Sequence, residues 1–222
     1  NSNLYLSYRD DTNGRVRKVF KYDPIRKILD STQISFQGSE FVSSRLHFFD
    51  NKLVLMGSAF ISELALSLDQ ELNTISTGLS QNLSRAGTAA VDNVIYVLGG
   101  DTGIFNELYP NHIIRIYEND LLGLKDEFTL NNSRRWAEGE IVDDTIYIFG
   151  GENVETVGST DGIFIYDNLV TYNLVDKIVD VIPLSVEMNY TSAVRYENLI
   201  FVAGRSAVTN MQTEIVFGAL NT

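Results

Sequence analysis

Arg45, Arg85 and Arg134 each follow a serine, and the last runs on into Arg135 and Trp136. A guanidinium is always charged and presents a planar fork of donors, so several gathered at one mouth would grip a carboxylate or phosphate through paired hydrogen bonds. A second set stands farther along the same pattern. Asp101 and Glu152 each follow a double glycine, and Arg205 follows Ala203-Gly204 in the corresponding place. Carboxylates there would accept hydrogen bonds from hydroxyls, and Trp136 would offer an apolar plate to a sugar ring or a partner's side chain. The candidate binding residues are therefore Arg45, Arg85, Arg134, Arg135, Trp136, Asp101, Glu152 and Arg205. The competing reading is that each recurrent arginine pairs with an acid of the next repeat, and that Trp136 is core.

These residues are placed by repetition. Ser84-Arg85 leads through Val94-Ile95-Tyr96-Val97-Leu98 to Gly99-Gly100-Asp101, and Ser133-Arg134 leads through Thr145-Ile146-Tyr147-Ile148-Phe149 to Gly150-Gly151-Glu152. Arginine, polar turn, apolar strand and double glycine at a spacing of roughly fifty residues make the signature of a propeller blade. Weaker copies run from Arg45 to Gly57 and from Ala193 to Gly204, with a degenerate one at Leu4-Tyr5-Leu6-Ser7. A second anchor, an apolar or aromatic strand end followed by an acid, recurs at Phe20-Lys21-Tyr22-Asp23, Leu66-Ser67-Leu68-Asp69, Arg115-Ile116-Tyr117-Glu118 and Phe164-Ile165-Tyr166-Asp167. It predicts a third strand in each unit.

On these motifs the chain resembles the kelch-repeat proteins, best over Arg85 to Gly100 and Arg134 to Gly151 and more weakly over the rest. The resemblance implies an all-β fold in which each unit is one four-stranded antiparallel blade, the double glycine closes the second strand, and the blades surround a channel. It departs from the family pattern in lacking the fourth-strand tryptophan, since Trp136 lies at a first strand, and in having lost the double glycine from the outer copies. The expected organisation is a single propeller domain over 1–222 with five units at about 1–34, 44–78, 84–130, 133–180 and 190–222. The first unit begins at its second strand and the last ends after its third. A section of a six-bladed ring is the alternative.

Composition fits a packed all-β chain, with 44% hydrophobic and 11% aromatic residues. No run approaches the eighteen or so apolar residues of a membrane-spanning helix, so no membrane insertion is expected. The net charge of −12 argues against a nucleic-acid partner, which would need a concentrated positive field. Residues 1–27 are nevertheless basic, as a charged outer strand would be to discourage edge pairing. The chain has no cysteine, which removes disulfides and thiolate chemistry. Asn82, Asn131 and Asn189 begin sequons, which a repeat rich in asparagine and serine generates in any case.

No catalytic constellation is legible. His47 and His112 are the two histidines, neither at metal-ligand spacing from another, and no nucleophile elbow or phosphate-binding glycine loop occurs. Neither metal nor cofactor is expected. Among kelch-type enzymes, copper oxidases need a cysteine that is absent, and the clustered acids and histidine of iron-dependent specifier proteins are not found. A sialic-acid mutarotase or epimerase, needing acids and arginines in a channel, remains compatible. The expectation is a non-enzymatic scaffold that binds a protein or acidic peptide at the channel mouth, with loops 101–112 and 152–162 setting selectivity. A carbohydrate-binding or mutarotase-like protein is one alternative, and the propeller part of a larger protein is another.

Overall fold

The computed structural model describes residues 4–10, 16–37, 45–49, 52–56, 60–66, 71–76, 86–91, 94–100, 112–117, 125–129, 134–157, 160–208 and 212–222. Every regular element among them is a strand, and no peptide bond is cis. Contacts divide the chain into two compact units, Asn1–Ser80 and Gln81–Thr222. The division falls between the second and third sequence repeats.

The first unit holds two antiparallel sheets. β1 (Leu4–Asp10), β2 (Val16–Asp23) and β3 (Ile28–Gln37) form one in chain order. The turn between β2 and β3 is stabilised by the Asp23 carboxylate, whose Oδ1 accepts from the Ile25 and Arg26 amides at 2.9 Å each, the usual work of an aspartate at a turn. β4 (Arg45–Phe49), β5 (Lys52–Met56), β6 (Phe60–Leu64) and β7 (Glu71–Ser76) form the second sheet. Val19, Leu53, Leu55 and Leu64 make the unit's core, sided by Tyr5, Leu46 and Leu66, and the Tyr5 hydroxyl donates to the Leu66 carbonyl at 3.1 Å. On β4, His47 faces away from Leu46, opposite Val54, and burial and then the Arg45 charge lower its pKa to about 4.

The second unit begins with β8 (Gly87–Val91), β9 (Val94–Leu98), β10 (His112–Tyr117) and β11 (Lys125–Thr129), a four-stranded sheet in chain order. The next sheet pairs β12 (Glu138–Val142) and β13 (Thr145–Phe149) with β16 (Asn168–Asn173) and β17 (Val179–Pro183). Between β13 and β16 the chain makes a separate hairpin, β14 (Glu152–Val157) with β15 (Thr160–Ile165). The last sheet is three-stranded: β18 (Asn189–Tyr196), β19 (Leu199–Val208) and β20 (Gln212–Asn221). Among the described residues the first and last sheets are each three-stranded.

Two expectations need correction. Residues 152–162, read as a long loop, are hairpin β14–β15. Likewise Phe164-Ile165-Tyr166-Asp167, taken as the third strand of its blade, lies on that hairpin and the turn after it; the third strand is β16. The aromatic-acid signature misled because β15 alternates as a blade strand does, while Leu169, Val170 and Tyr172 of β16 supply the buried residues.

β13 explains the near-continuous apolar run in the sequence. Its Ile146 and Ile148 are fully buried in a cluster with Ala89, Leu98, Ile141 and Tyr172. Tyr147 and Phe149, pointing the other way, pack with Met188, Leu169, Ile200 and Val202. A strand covered on both faces has no polar side to show.

Candidate functional site

The double glycines are docking points between consecutive sheets. Gly99 and Gly100 have φ of 65° and 101°, and Gly150 and Gly151 have 56° and 97°, which glycine alone adopts without cost. The Gly100 amide donates to the Arg134 carbonyl at 3.0 Å, and the Gly151 amide to the Met188 carbonyl at 2.8 Å. Arg134 and Met188 therefore hold the same place in successive repeats, as do Arg135 and Asn189, and Trp136 and Tyr190. The backbone agrees: Trp136 and Tyr190 both have left-handed φ, 57° and 50°.

This register separates the recurrent arginines. Arg45 is the first residue of β4 and pairs across to Met56, the last residue of β5. The equivalent place in the later repeat is held by Glu138, opposite Phe149, four residues after Arg134. Arg45 and Arg134 thus occupy different positions in their repeats. Arg85 and Asp101, with the loop at 101–111, lie outside the described residues.

Arg134 takes the packing role rather than the binding one. It is 1% exposed, and its Nη1 donates to the Gly150 carbonyl at 2.7 Å and its Nη2 to Asn168 Oδ1 at 2.9 Å. The guanidinium lies 4.2 Å over the ring of Tyr166. Burial lowers its pKa to about 10, which leaves it charged at neutral pH.

Above it the structure gathers the other four described candidates of this unit. Arg135 and Glu152 form an isolated backbone bridge with amide-carbonyl bonds of 3.0 and 2.9 Å. Their side chains repeat the pairing, Arg135 Nε donating to Glu152 Oε1 at 3.0 Å. The second carboxylate oxygen accepts from Asn189 Nδ2 at 2.5 Å. Asn189 Oδ1 is buried with no hydrogen-bond partner among the described residues. Beside this network Trp136 stacks on Tyr190 with ring centroids 4.3 Å apart and planes 23° from parallel. The Arg205 guanidinium lies 5.3 Å from the Tyr190 ring, and Asn189 and Arg205 are register partners of β18 and β19. The result is a buried Arg135–Glu152–Asn189 network beside a partly exposed stack of Trp136, Tyr190 and Arg205. Trp136 precedes β12 rather than lying on the first strand.

Sequence reading misses Asn189 and Tyr190 as site residues, because the last copy is legible only from Ala193 onward. Alignment on the double glycines would have set them beside Arg135 and Trp136. Asn189 is 5% exposed with its amide bonded, so its sequon is closed in the folded chain. Among the described residues no three His, Cys, Asp or Glu side chains converge to hold a metal.

Two further acids sit on β12. Glu138 Oε1 accepts from the Thr88 amide at 2.7 Å and from its hydroxyl at 3.3 Å, tying β12 to β8. Glu140 is raised to about 7 by burial and then by the Glu138 charge, with Arg195 of β18 opposing the rise. Its folded form holds the proton more tightly than the unfolded chain, so stability falls as pH rises from about 4.5 to 7. Glu140→Gln should flatten that slope by on the order of 1–2 kcal/mol. Urea melts at pH 5 and pH 8 measure it; an unchanged pH dependence in the variant would remove Glu140 as its source.

No family model matches this sequence, and no curated protein does. Among solved structures, that of YjhT aligns with a TM-score of 0.74 at 9% identity, over 97% of this chain and 81% of the other. YjhT is a β-propeller, and at this identity the likeness shows fold alone: this chain has a β-propeller-type fold.

Proposed function

We propose that this chain is a kelch-type propeller that works as a binding scaffold, without catalysis, for an acidic peptide or protein segment held by Arg205, Tyr190 and Trp136. The carrying observation is Arg205. Arg135 is neutralised by Glu152 and Arg134 is buried, whereas Arg205 is exposed, held against an aromatic ring, and has no acidic partner among the described residues. A cation seated on a ring loses less freedom on meeting a carboxylate than one swinging in water. The net charge of −12 opposes an acidic ligand at long range, so recognition rests on short-range geometry and is salt-sensitive.

The test is fluorescence anisotropy with a labelled glutamate-rich peptide. Arg205→Ala and Tyr190→Ala should each weaken binding at least tenfold with the strand signal in circular dichroism unchanged. Equal binding by folded Arg205→Ala would refute the assignment. A second reading, a carbohydrate ligand, is favoured by the partly exposed Trp136–Tyr190 stack, an apolar plate suited to a sugar ring. A glycan array and a sialic-acid anomerisation assay separate the two, since the scaffold is silent in both.

A further inference from the structure

β12, with Trp136 just before it, is tied to β18 at two levels. At the first, the amide of Thr191, next to Tyr190, donates to the Trp136 carbonyl at 3.2 Å, and the Thr191 hydroxyl donates to the Phe149 carbonyl at 3.2 Å. The Trp136–Tyr190 stack sits here. Both aromatics have left-handed φ, 57° and 50°, a backbone state that a bulky residue keeps only where its surroundings hold it. The second level lies farther along both strands. There Arg195 Nη1 donates to the Ile141 carbonyl at 3.3 Å, and the Arg195 amide hydrogen-bonds the Glu140 carboxylate.

Of the groups that make these ties, Glu140 is the one that changes charge near neutral pH. Burial first, and the Glu138 charge second, raise it to about 7 against the pull of Arg195. Its neighbours are fixed by other work. Glu138, two residues back on β12, accepts from the Thr88 amide and hydroxyl, and Arg195 gives its Nε to the carbonyl of Glu197, in the turn after β18, at 2.9 Å. Each would have to give up a bond to follow a new charge. Tyr147 lies opposite Glu140 on β13, and β8 (Gly87–Val91) carries no titratable residue.

We infer that Glu140 is a proton switch for the Trp136–Tyr190 stack: protonated, it lets β12 and β18 close and holds the two rings together; ionised, it draws water between the strands and lets the stack relax. A half-buried carboxylate beside a second carboxylate recovers its solvation only by admitting water. Separation of β18 from β12 at that level admits it. The strain in the two left-handed residues then favours release of the rings over closure. The Arg205 guanidinium, which lies against Tyr190, loses its seat with the stack. For ligand affinity the inference rests on the acidic-peptide reading above, and it makes that site tighter below neutrality than above it.

Trp136 is the sole tryptophan, so its fluorescence reports the stack in the whole chain without any ligand. A titration from about pH 5.5 to 8.5 should shift the emission with a midpoint near 7. Glu140→Gln, which stays neutral, should keep the low-pH emission throughout, and Tyr190→Ala should abolish the change. Arg195→Met, which removes the opposing cation, should move the midpoint upward by about half a unit or more. The labelled glutamate-rich peptide, ionised over this whole range, should bind at least threefold more weakly at about pH 8 than at about pH 6, and equally at both to Glu140→Gln. An emission that does not titrate, that titrates alike in folded Glu140→Gln or Tyr190→Ala, or whose midpoint ignores Arg195→Met overturns the inference and leaves the peptide site standing. A titrating emission with no peptide bound at any pH upholds the switch and refutes the acidic-peptide reading instead.

Discussion

Arg135→Met is expected to destabilise the second unit by about 3–5 kcal/mol, because it strands a carboxylate in a place where water cannot reach it. Glu152 is 3% exposed overall, and its two oxygens are met by Arg135 and Asn189. With the guanidinium gone, the Asn189 amide alone faces the charge. Glu152→Met does the reverse, leaving a cation whose side chain is 15% exposed, and should cost less because Arg135 can turn toward solvent. Replacing both by methionine removes the charges together and should cost well under the sum of the singles. Equilibrium urea unfolding of the three variants gives the coupling. If the singles are each within about 0.5 kcal/mol of the parent, the pair behaves as an exposed surface bridge, and the network is not the support for the Trp136–Tyr190 stack described above.

Gly150→Ala should be as damaging for a different reason. At φ 56° an alanine is already strained, and its Cβ would run into the Met188 carbonyl and side chain. That carbonyl is the acceptor for the Gly151 amide, so relief by backbone movement breaks the bond docking one repeat on the next. A loss of about 3 kcal/mol or more is expected, from the left-handed penalty and the lost hydrogen bond together. Gly218→Ala is the control, since nothing stands within 4 Å of its added methyl; it should change stability by less than about 1 kcal/mol. Thermal melts of the two variants decide the matter, and equal melting temperatures would mean that the double glycine is not a fixed docking point.

The repeat was legible because burial on both faces of β9 and β13 forces apolar runs, and because the sites between successive sheets require glycine. Both constraints are local and leave marks at fixed spacing. The third strand of the β12 sheet was misplaced because β15 carries the same alternation as a blade strand. Which alternating segment joins the sheet is decided by pairing with β13, through Tyr147↔Thr171 and Ile148↔Val170, not by composition. The site was half legible. Arg135, Trp136, Glu152 and Arg205 are legible as candidates and come together, but Tyr190, which joins the stack, precedes the legible part of the last copy. Arg134 was read as a possible anion contact since charge in a sequence says nothing of exposure. Its partners are a carbonyl and an amide rather than acids, and no spacing rule points to them.

The double covering of β13 has a cost before folding is complete. Thr145-Ile146-Tyr147-Ile148-Phe149 is five residues of high strand preference without a charge, the composition that stacks into fibrils when left in water. As the chain emerges in synthesis, one neighbour, the β8–β11 sheet, is already made, while Met188, Ile200 and Val202 are still to come. For that interval the Tyr147 and Phe149 face is bare. Asp143 and Asp144 immediately before the strand and Glu152 three residues after it stand as gatekeepers, keeping nascent copies apart until the last sheet arrives.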